Sequence, residues 1–177
     1  MMKKEEARRK GLAARKALHP EERSRYESII FEKVMAEVSD AATVGCYVSF
    51  GDEADTHRII LELLKRNKRV AVPKTLKSGL KFHVISSMEE LKPGVWGIPE
   101  PENDDIIPPR EIDVMLVPLS AFDDQMHRTG YGKGYYDRIL AECRRKTGIA
   151  YSCQKTDEIE TDPWDVDLDH VITECSG

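Results

Sequence analysis

The sequence predicts an α/β fold: a three-layer open sheet, mostly parallel, with helices on both faces and the N-terminal helices packed on one side. Three observations carry this. Segments with strand character alternate with segments of helical period, the order that builds parallel βαβ units. Ile112–Pro118 is an almost continuous apolar run, the mark of a strand buried on both faces. The chain has 177 residues, 40% of them hydrophobic. A domain of that size buries roughly 70% of its unfolded surface, so residues 1–177 are read as a single domain.

The elements follow in order. Residues 3–18 form a charged helix that ends near His19 and Pro20, and Pro20 suits the first turn of the next helix because its missing N–H is unpaired there anyway. That second helix places Tyr26, Ile29, Ile30, Val34 and Val38 on one face. Thr43–Phe50 is the first strand, closed by Gly51 and Asp52. Asp55 or Thr56 caps a helix carrying Ile59, Ile60, Leu63 and Leu64. Arg69–Pro73 and Leu80–Ile85 are strands. Residues 92–110 hold five of the nine prolines and two glycines and read as an ordered loop or covering flap. After the Ile112–Pro118 strand comes a loop over 120–134. A helix is expected over Tyr135–Arg145, with Tyr136, Ile139, Leu140 and Cys143 inward. Gly148–Tyr151 and His170–Thr173 are the last strands. Ligands of such sheets gather at the carboxyl ends of the strands, which directs attention to Gly51–Asp55, Pro73–Lys74 and Ser120–Asp137.

Composition excludes several function classes. The net charge of −5 argues against a nucleic-acid surface. No run approaches the roughly 20 apolar residues of a membrane span, and the charged start has no apolar stretch after it, so no secretory signal is read there. A cytoplasmic setting with free thiols is expected for Cys46, Cys143, Cys153 and Cys175, none of which has zinc-ligand spacing. Charge is uneven. Residues 1–33 hold ten Lys/Arg against six Glu, and residues 154–177 hold one Lys against eight acids. The basic start is either a solvated helix or a source of cations for an anionic ligand. Residues 1–10 contribute few apolar side chains, so their removal is expected to leave the domain folded.

The most informative segment is Arg128–Arg138, in which Gly130, Gly132 and Gly134 alternate. Glycines allow positive φ and close approach to a ligand, and successive N–H groups ahead of a helix form an anion site. Arg128 and Lys133 add positive charge, so the segment reads as a phosphate cradle. Its GxGxG spacing is neither the dinucleotide fingerprint nor a P-loop. Asp137 is balanced between a metal ligand and a first-turn acid that complements the helix dipole.

This segment resembles the signature of the 5-formyltetrahydrofolate cyclo-ligase family, and the resemblance runs through nearly the whole chain. Lys4 and Arg8 look like the family's basic pair, followed by Pro20–Arg23. Asp52–Thr56, Val70–Lys74, Trp96–Pro101, Asp113–Pro118, Ala121–Asp123 and Asp165 with Asp169–Ile172 follow in the family order. The resemblance implies conversion of 5-formyltetrahydrofolate to 5,10-methenyltetrahydrofolate with ATP and Mg²⁺. It implies Lys133 and Arg128 as catalytic cations. ATP would be bound by Lys4, Arg8, Arg128, Thr129, Gly130, Tyr131, Gly132, Lys133, Gly134, Tyr135 and Tyr136. Val48, Phe50, Glu53, Trp96, Tyr135 and Tyr136 would bind folate, with Glu53 orienting the pterin and Lys74 meeting the glutamate tail. Asp137 and Asp165 would hold the metal. The partners implied are the two substrates, with no nucleic acid or membrane, and a monomer or weak dimer is expected. Two other readings stay open: a non-catalytic nucleotide-binding module, and an enzyme of this scaffold acting on a sugar phosphate or acyl thioester.

Overall fold

The structure, a computed structural model, describes residues 1–175; the last two residues of the expected single domain lie outside the described residues. Helices α1 (Lys4–Lys16) and α2 (Pro20–Glu37) lead into β1 (Thr43–Cys46), α3 (His57–Lys65), β2 (Arg69–Leu76) and β3 (Gly79–Ile85). Short strands follow: β4 (Lys92–Pro93), β5 (Pro99–Glu100), β6 (Ile106–Ile107), β7 (Val114–Val117), β8 (Ala121–Phe122) and β9 (Arg128–Thr129). The chain closes with β10 (Arg145–Ile149) and β11 (His170–Ile172). Seven strands form one sheet in the order β11-β10-β7-β1-β2-β3-β6. The five from β11 to β2 are parallel, and β3 and β6 complete the edge antiparallel. The mostly parallel α/β sheet predicted from the sequence is therefore present.

Alternation along the strands builds two cores. Val44, Cys46, Val70, Val72, Val114 and Leu116 face α2 and α3, where Ile30, Phe31, Val34, Met35, Ile59, Ile60 and Leu63 meet them. Ala71, Met115 and Val117 face the other way, onto Phe82, Phe122, Ile139, Leu140 and Cys143. This second face is covered by turns rather than by the helix expected over Tyr135–Arg145. Only Leu140–Glu142 forms a 3₁₀ turn there. The bonds Leu140 N–H to Tyr136 O and Cys143 N–H to Leu140 O close separate turns. Spacing at i, i+3 and i+4 brings the same side chains inward in either case, while a short helix must overcome its nucleation cost.

Other differences are local. Strand β1 stops at Cys46, because the backbone at Tyr47 and Ser49 bonds to the side chain of Thr56 instead of to a ladder. The Asp55 carboxylate accepts from the N–H groups of His57 and Arg58 at 3.1 and 3.3 Å, so Asp55, not Thr56, caps α3. In α2 the buried stripe is Ile30, Phe31, Val34 and Met35, and Ile29 turns outward at 40% exposure.

Helix α1 is more than an appendage. Its buried residues, Ala7, Gly11 and Arg15, are spaced by four and share one face. Ala7 packs with Ala121, Ile159 and Met2. Met2 bonds through its backbone to Glu158 and Glu160. The Lys4 ammonium sits 2.5 Å from Asp165 and 2.9 Å from Asp162. Residues 1–10 thus tie the acidic C-terminal segment to the domain, a role that their few apolar side chains do not reveal.

A Cβ on Gly11 would lie 1.9 Å from the backbone oxygen of Ser120. An exposed mid-helix Gly→Ala change typically stabilises by about 0.5–1 kcal/mol. Gly11→Ala is expected to do the opposite and cost about 1–3 kcal/mol through overpacking against backbone. Thermal melts of the two proteins check the sign; a raised midpoint would show that α1 is not held this closely.

Candidate active site

The sheet order turns around β1. The chain leaves β1 towards β2 on one side, and leaves β7, on the other side of β1, towards β10. At such a switch point the loops beyond the strand ends diverge and open a crevice. A cavity of about 620 Å³ lies there. Its walls come from the loop after β1 (Val48, Phe50, Glu53), the β4–β5 flap (Trp96, Ile98, Glu100) and the glycine loop (Arg128 to Asp137).

Most of the predicted site residues meet in this one space. Val48, Phe50, Glu53, Trp96, Arg128, Gly130, Tyr131, Lys133, Gly134, Tyr135, Tyr136 and Asp137 all line it. Thr129, Gly132, Lys4, Arg8 and Asp165 do not. Thr129 is buried beneath the loop, its hydroxyl 2.7 Å from that of Ser120. Arg8 grips the loop from behind, its Nε donating to Gly130 O at 3.0 Å. Strand β2 continues through Leu76, so Pro73 and Thr75 face the cavity and Lys74 between them faces away.

The glycine loop has the properties of an anion cradle without a helix behind it. Gly132 and Gly134 have φ of +90° and +72°, open to glycine and strained for other residues. A Cβ at Gly130 would lie 2.7 Å from an Arg128 nitrogen. Among the described residues, no backbone N–H from Gly130 to Asp137 donates to a protein acceptor. A run of unpaired N–H groups in a glycine turn forms a concave, positively polarised surface.

Two buried polar atoms in the cavity wall also lack partners: Arg128 Nε and the Tyr136 hydroxyl. Arg128 is nearly inaccessible, with Nη1 3.2 Å from Asp137 and Nη2 donating to Pro118 O at 3.2 Å. Burial works against its charge and Asp137 supports it. Unpaired buried polar atoms cost about 1–3 kcal/mol each, and two of the three among the described residues lie here, the third being Arg145 Nε.

Opposite lies Glu53. Its Oε1 accepts from Phe50 N–H and its Oε2 from the Tyr131 hydroxyl, both at 2.8 Å. Burial pushes its carboxyl above the usual range, and the Phe50 N–H, Tyr131 and Arg15 partly restore it. Over the mouth, Trp96 is 60% exposed and held at φ +56°, a left-handed conformation unusual for an aromatic residue. The Lys133 ammonium lies 5.9 Å from its ring centroid, which joins flap to glycine loop.

The two carboxylates implied as a metal pair are not brought to one wall. Asp137 faces Arg128, while Asp165 faces Lys4, whose ammonium holds it below the usual carboxylate range against the effect of burial. Among the described residues no group of three or more His, Cys, Asp or Glu side chains has a metal-holding arrangement.

Arg15, Asp52, Thr75 and Glu100 also line the cavity; Asp52 and Glu100 fall within segments of the family resemblance without being assigned a role there, and Arg15 and Thr75 carry no motif. Glu100 is buried and its Oε2 accepts from Thr75 N–H at 2.8 Å, pinning the flap to the end of β2. The one legible signal for Arg15 is its place on the stripe of α1 otherwise occupied by Ala7 and Gly11.

The model of the 5-formyltetrahydrofolate cyclo-ligase family matches residues 1–174. A 5-formyltetrahydrofolate cyclo-ligase of Mycoplasma pneumoniae is 35% identical over 180 residues, covering 98% of this chain and 99% of the relative. That of Escherichia coli K12 is 33% identical over 170 residues, covering 90% and 93%. The solved structure of Aquifex aeolicus 5,10-methenyltetrahydrofolate synthetase superposes with a TM-score of 0.87 at 33% identity, covering 98% of this chain and 90% of that one. The chain belongs to the 5-formyltetrahydrofolate cyclo-ligase family, a family of ligases. Among the described residues no helix is long and apolar enough to cross a membrane.

Tyr136→Phe separates preparation for a ligand from packing. Removing an unpaired buried hydroxyl should leave the melting temperature unchanged or raise it, while kcat/KM falls about tenfold. Parallel melts and initial rates decide it; a lowered midpoint with unchanged rates would make the hydroxyl structural.

Proposed function

We propose that residues 1–177 act as a single catalytic domain that converts 5-formyltetrahydrofolate to 5,10-methenyltetrahydrofolate, cleaving ATP to ADP and phosphate. The observation that carries this reading is the shared cavity. One wall offers the half-buried carboxylate of Glu53 and apolar or aromatic surface at Val48, Phe50 and Trp96, suited to a flat heterocycle with N–H donors. The other offers the unpaired N–H groups of the glycine loop together with Arg128 and Lys133, suited to a triphosphate. Folate and phosphate chemistry therefore meet in one space.

The reaction needs that meeting. A formamide oxygen is a poor leaving group, so ring closure by loss of hydroxide is slow. Attack of that oxygen on the γ-phosphorus breaks the bond to ADP and forms an iminophosphate. The folate N10 then attacks the formyl carbon and closes the five-membered ring, its proton passes to solvent, and the C–O bond breaks as phosphate leaves. Transfer of this kind depends on positioning and charge neutralisation more than on covalent help. Arg128 and Lys133 are the cations for it, and the Tyr135 and Tyr136 rings stand beside them. Arg8 acts through Gly130, bracing the loop, and Lys4 acts through the C-terminal acids, so their contribution to ATP binding is indirect.

Mg²⁺ binds oxygen ligands, commonly one or two carboxylates together with phosphates, and neutralises charge on the transferring group. Asp137 fits that demand: it stands on the cavity wall, its side chain is half exposed, and only Oδ1 is engaged, by Arg128. Asp165, tied to Lys4, serves the fold, which also explains why the C-terminal segment is acidic beside a basic helix. A cytoplasmic enzyme that acts as a monomer or weak dimer on its two small substrates fits this reading.

The direct test mixes the protein with 5-formyltetrahydrofolate, ATP and Mg²⁺ and follows the methenyl chromophore. Phosphate release without the chromophore would point to another substrate, and neither signal to a binding module. Glu53→Gln should lower folate kcat/KM about ten- to a hundredfold, because hydrogen bonds to a charged group contribute roughly 1.5–3 kcal/mol. Nucleotide affinity, measured by calorimetry, should change far less; equal loss of both would remove Glu53 from the folate wall. Asp137→Asn should raise the Mg²⁺ needed for half-maximal rate, whereas Asp165→Asn should lower the melting temperature and leave that concentration near wild type. The opposite pattern in rate-against-Mg²⁺ curves would reverse the two roles.

A further inference from the structure

The buried guanidinium of Arg15 touches both walls of the cavity. Its Nε and Nη2 lie 2.9 and 2.8 Å from Asp52 Oδ1, in the loop after β1. Its Nη1 donates to the Tyr131 hydroxyl at 2.9 Å, in the glycine loop. That hydroxyl in turn donates to Glu53 Oε2 at 2.8 Å. The arginine is 6% exposed at its side chain, and its charge lies 5.8 Å from the Tyr131 ring centroid. An oxygen that accepts from a cation is a better donor through its own hydrogen, so the chain Arg15–Tyr131–Glu53 is mutually strengthening.

Tyr131 is therefore shared between two jobs. Its backbone belongs to the phosphate-binding loop, between Gly130 and a Gly132 at φ +90°, where N–H groups have no protein acceptors. Its hydroxyl holds the carboxylate on the folate wall. Outside those polar contacts its side chain is 44% exposed. An anion that organises the loop's N–H groups also fixes where this hydroxyl stands.

We infer that Arg15 and Tyr131 are positioning residues that couple the two substrate sites, so that nucleotide bound to the glycine loop tightens binding of folate at Glu53. This rests on the reading of Glu53 as the folate-orienting carboxylate. By thermodynamic reciprocity folate then tightens nucleotide binding by the same factor.

The test is calorimetry of 5-formyltetrahydrofolate binding to the full chain, without and with saturating β,γ-imido-ATP and Mg²⁺. For the wild type the nucleotide analogue should tighten folate binding about fivefold or more, the lower end of usual coupling between sites. In Tyr131→Phe, which keeps the ring and removes the hydroxyl, the ratio should fall to within about twofold of one. Arg15→Lys keeps the charge without the planar fork that spans Asp52 and Tyr131, and should lose the coupling likewise. A purely structural role would lower the melting temperature while leaving the ratio intact. That result, or a wild-type ratio near one, overturns the coupling while leaving the proposed function standing. Failure of the wild type to bind 5-formyltetrahydrofolate at all overturns the proposed function and the coupling with it.

Discussion

The close packing of α1 on the backbone at Ser120 is the constraint on which the site depends. Gly11 permits it, since any side chain there meets the Ser120 oxygen. Once the helix lies this near, Arg8 reaches Gly130 O and Arg15 reaches Asp52 and Tyr131. Three segments far apart in the chain are thereby held together. The buried charge of Arg15 is tolerable only because each face of its guanidinium is occupied, including a contact to Leu119 O at 3.4 Å. Arg23, on α2, adds to the same junction by donating to Asp52 O and Arg15 O at 2.6 and 2.7 Å.

Charge is distributed to serve that junction. The basic start of the chain is in part a solvated face, with Lys3, Arg9, Lys10 and Lys16 exposed, and in part a set of tethers. Lys4 faces Asp162 and Asp165, Arg8 faces a carbonyl of the glycine loop, and Arg15 faces Asp52. The acidic C-terminal segment is the counterpart of α1. In the cavity, among the described residues, the loop's N–H groups and Arg128 Nε have no protein partner, and the ammonium of Lys133 is exposed.

The flap shows the same economy of means. Glu100 holds its base against β2, and Gly94 leaves room for that carboxylate, since a Cβ would fall 2.0 Å from Glu100 Oε1. The tip then carries Trp96 in a left-handed conformation above Lys133. Among the described residues Lys133 has no carboxylate partner, and an exposed cation–π contact contributes only about 0.5–1 kcal/mol, so flap and glycine loop separate at little cost.

Much of this was determined by the sequence alone. Apolar period and strand character set the parallel sheet and the helices α2 and α3, because burial of a patterned face depends on local spacing, while α1 was legible as a charged helix ending at His19 and Pro20. The alternating glycines with Arg128 and Lys133 marked one wall of the cavity, because glycines permit a close turn of unpaired N–H groups and the two cations add positive charge to it. The tertiary structure decided what depends on partners distant in the chain. It replaced the helix expected after Gly134 by separate turns, turned Lys74 away from the cavity, and gave Asp165 to Lys4 instead of to Asp137. It also made Arg15 and Glu100 part of the site. A buried charge is selected by the groups that surround it in space, and those groups come from α1, β2, the flap and two loops. No spacing along the chain encodes that encounter; the packing of α1 through Gly11 creates it.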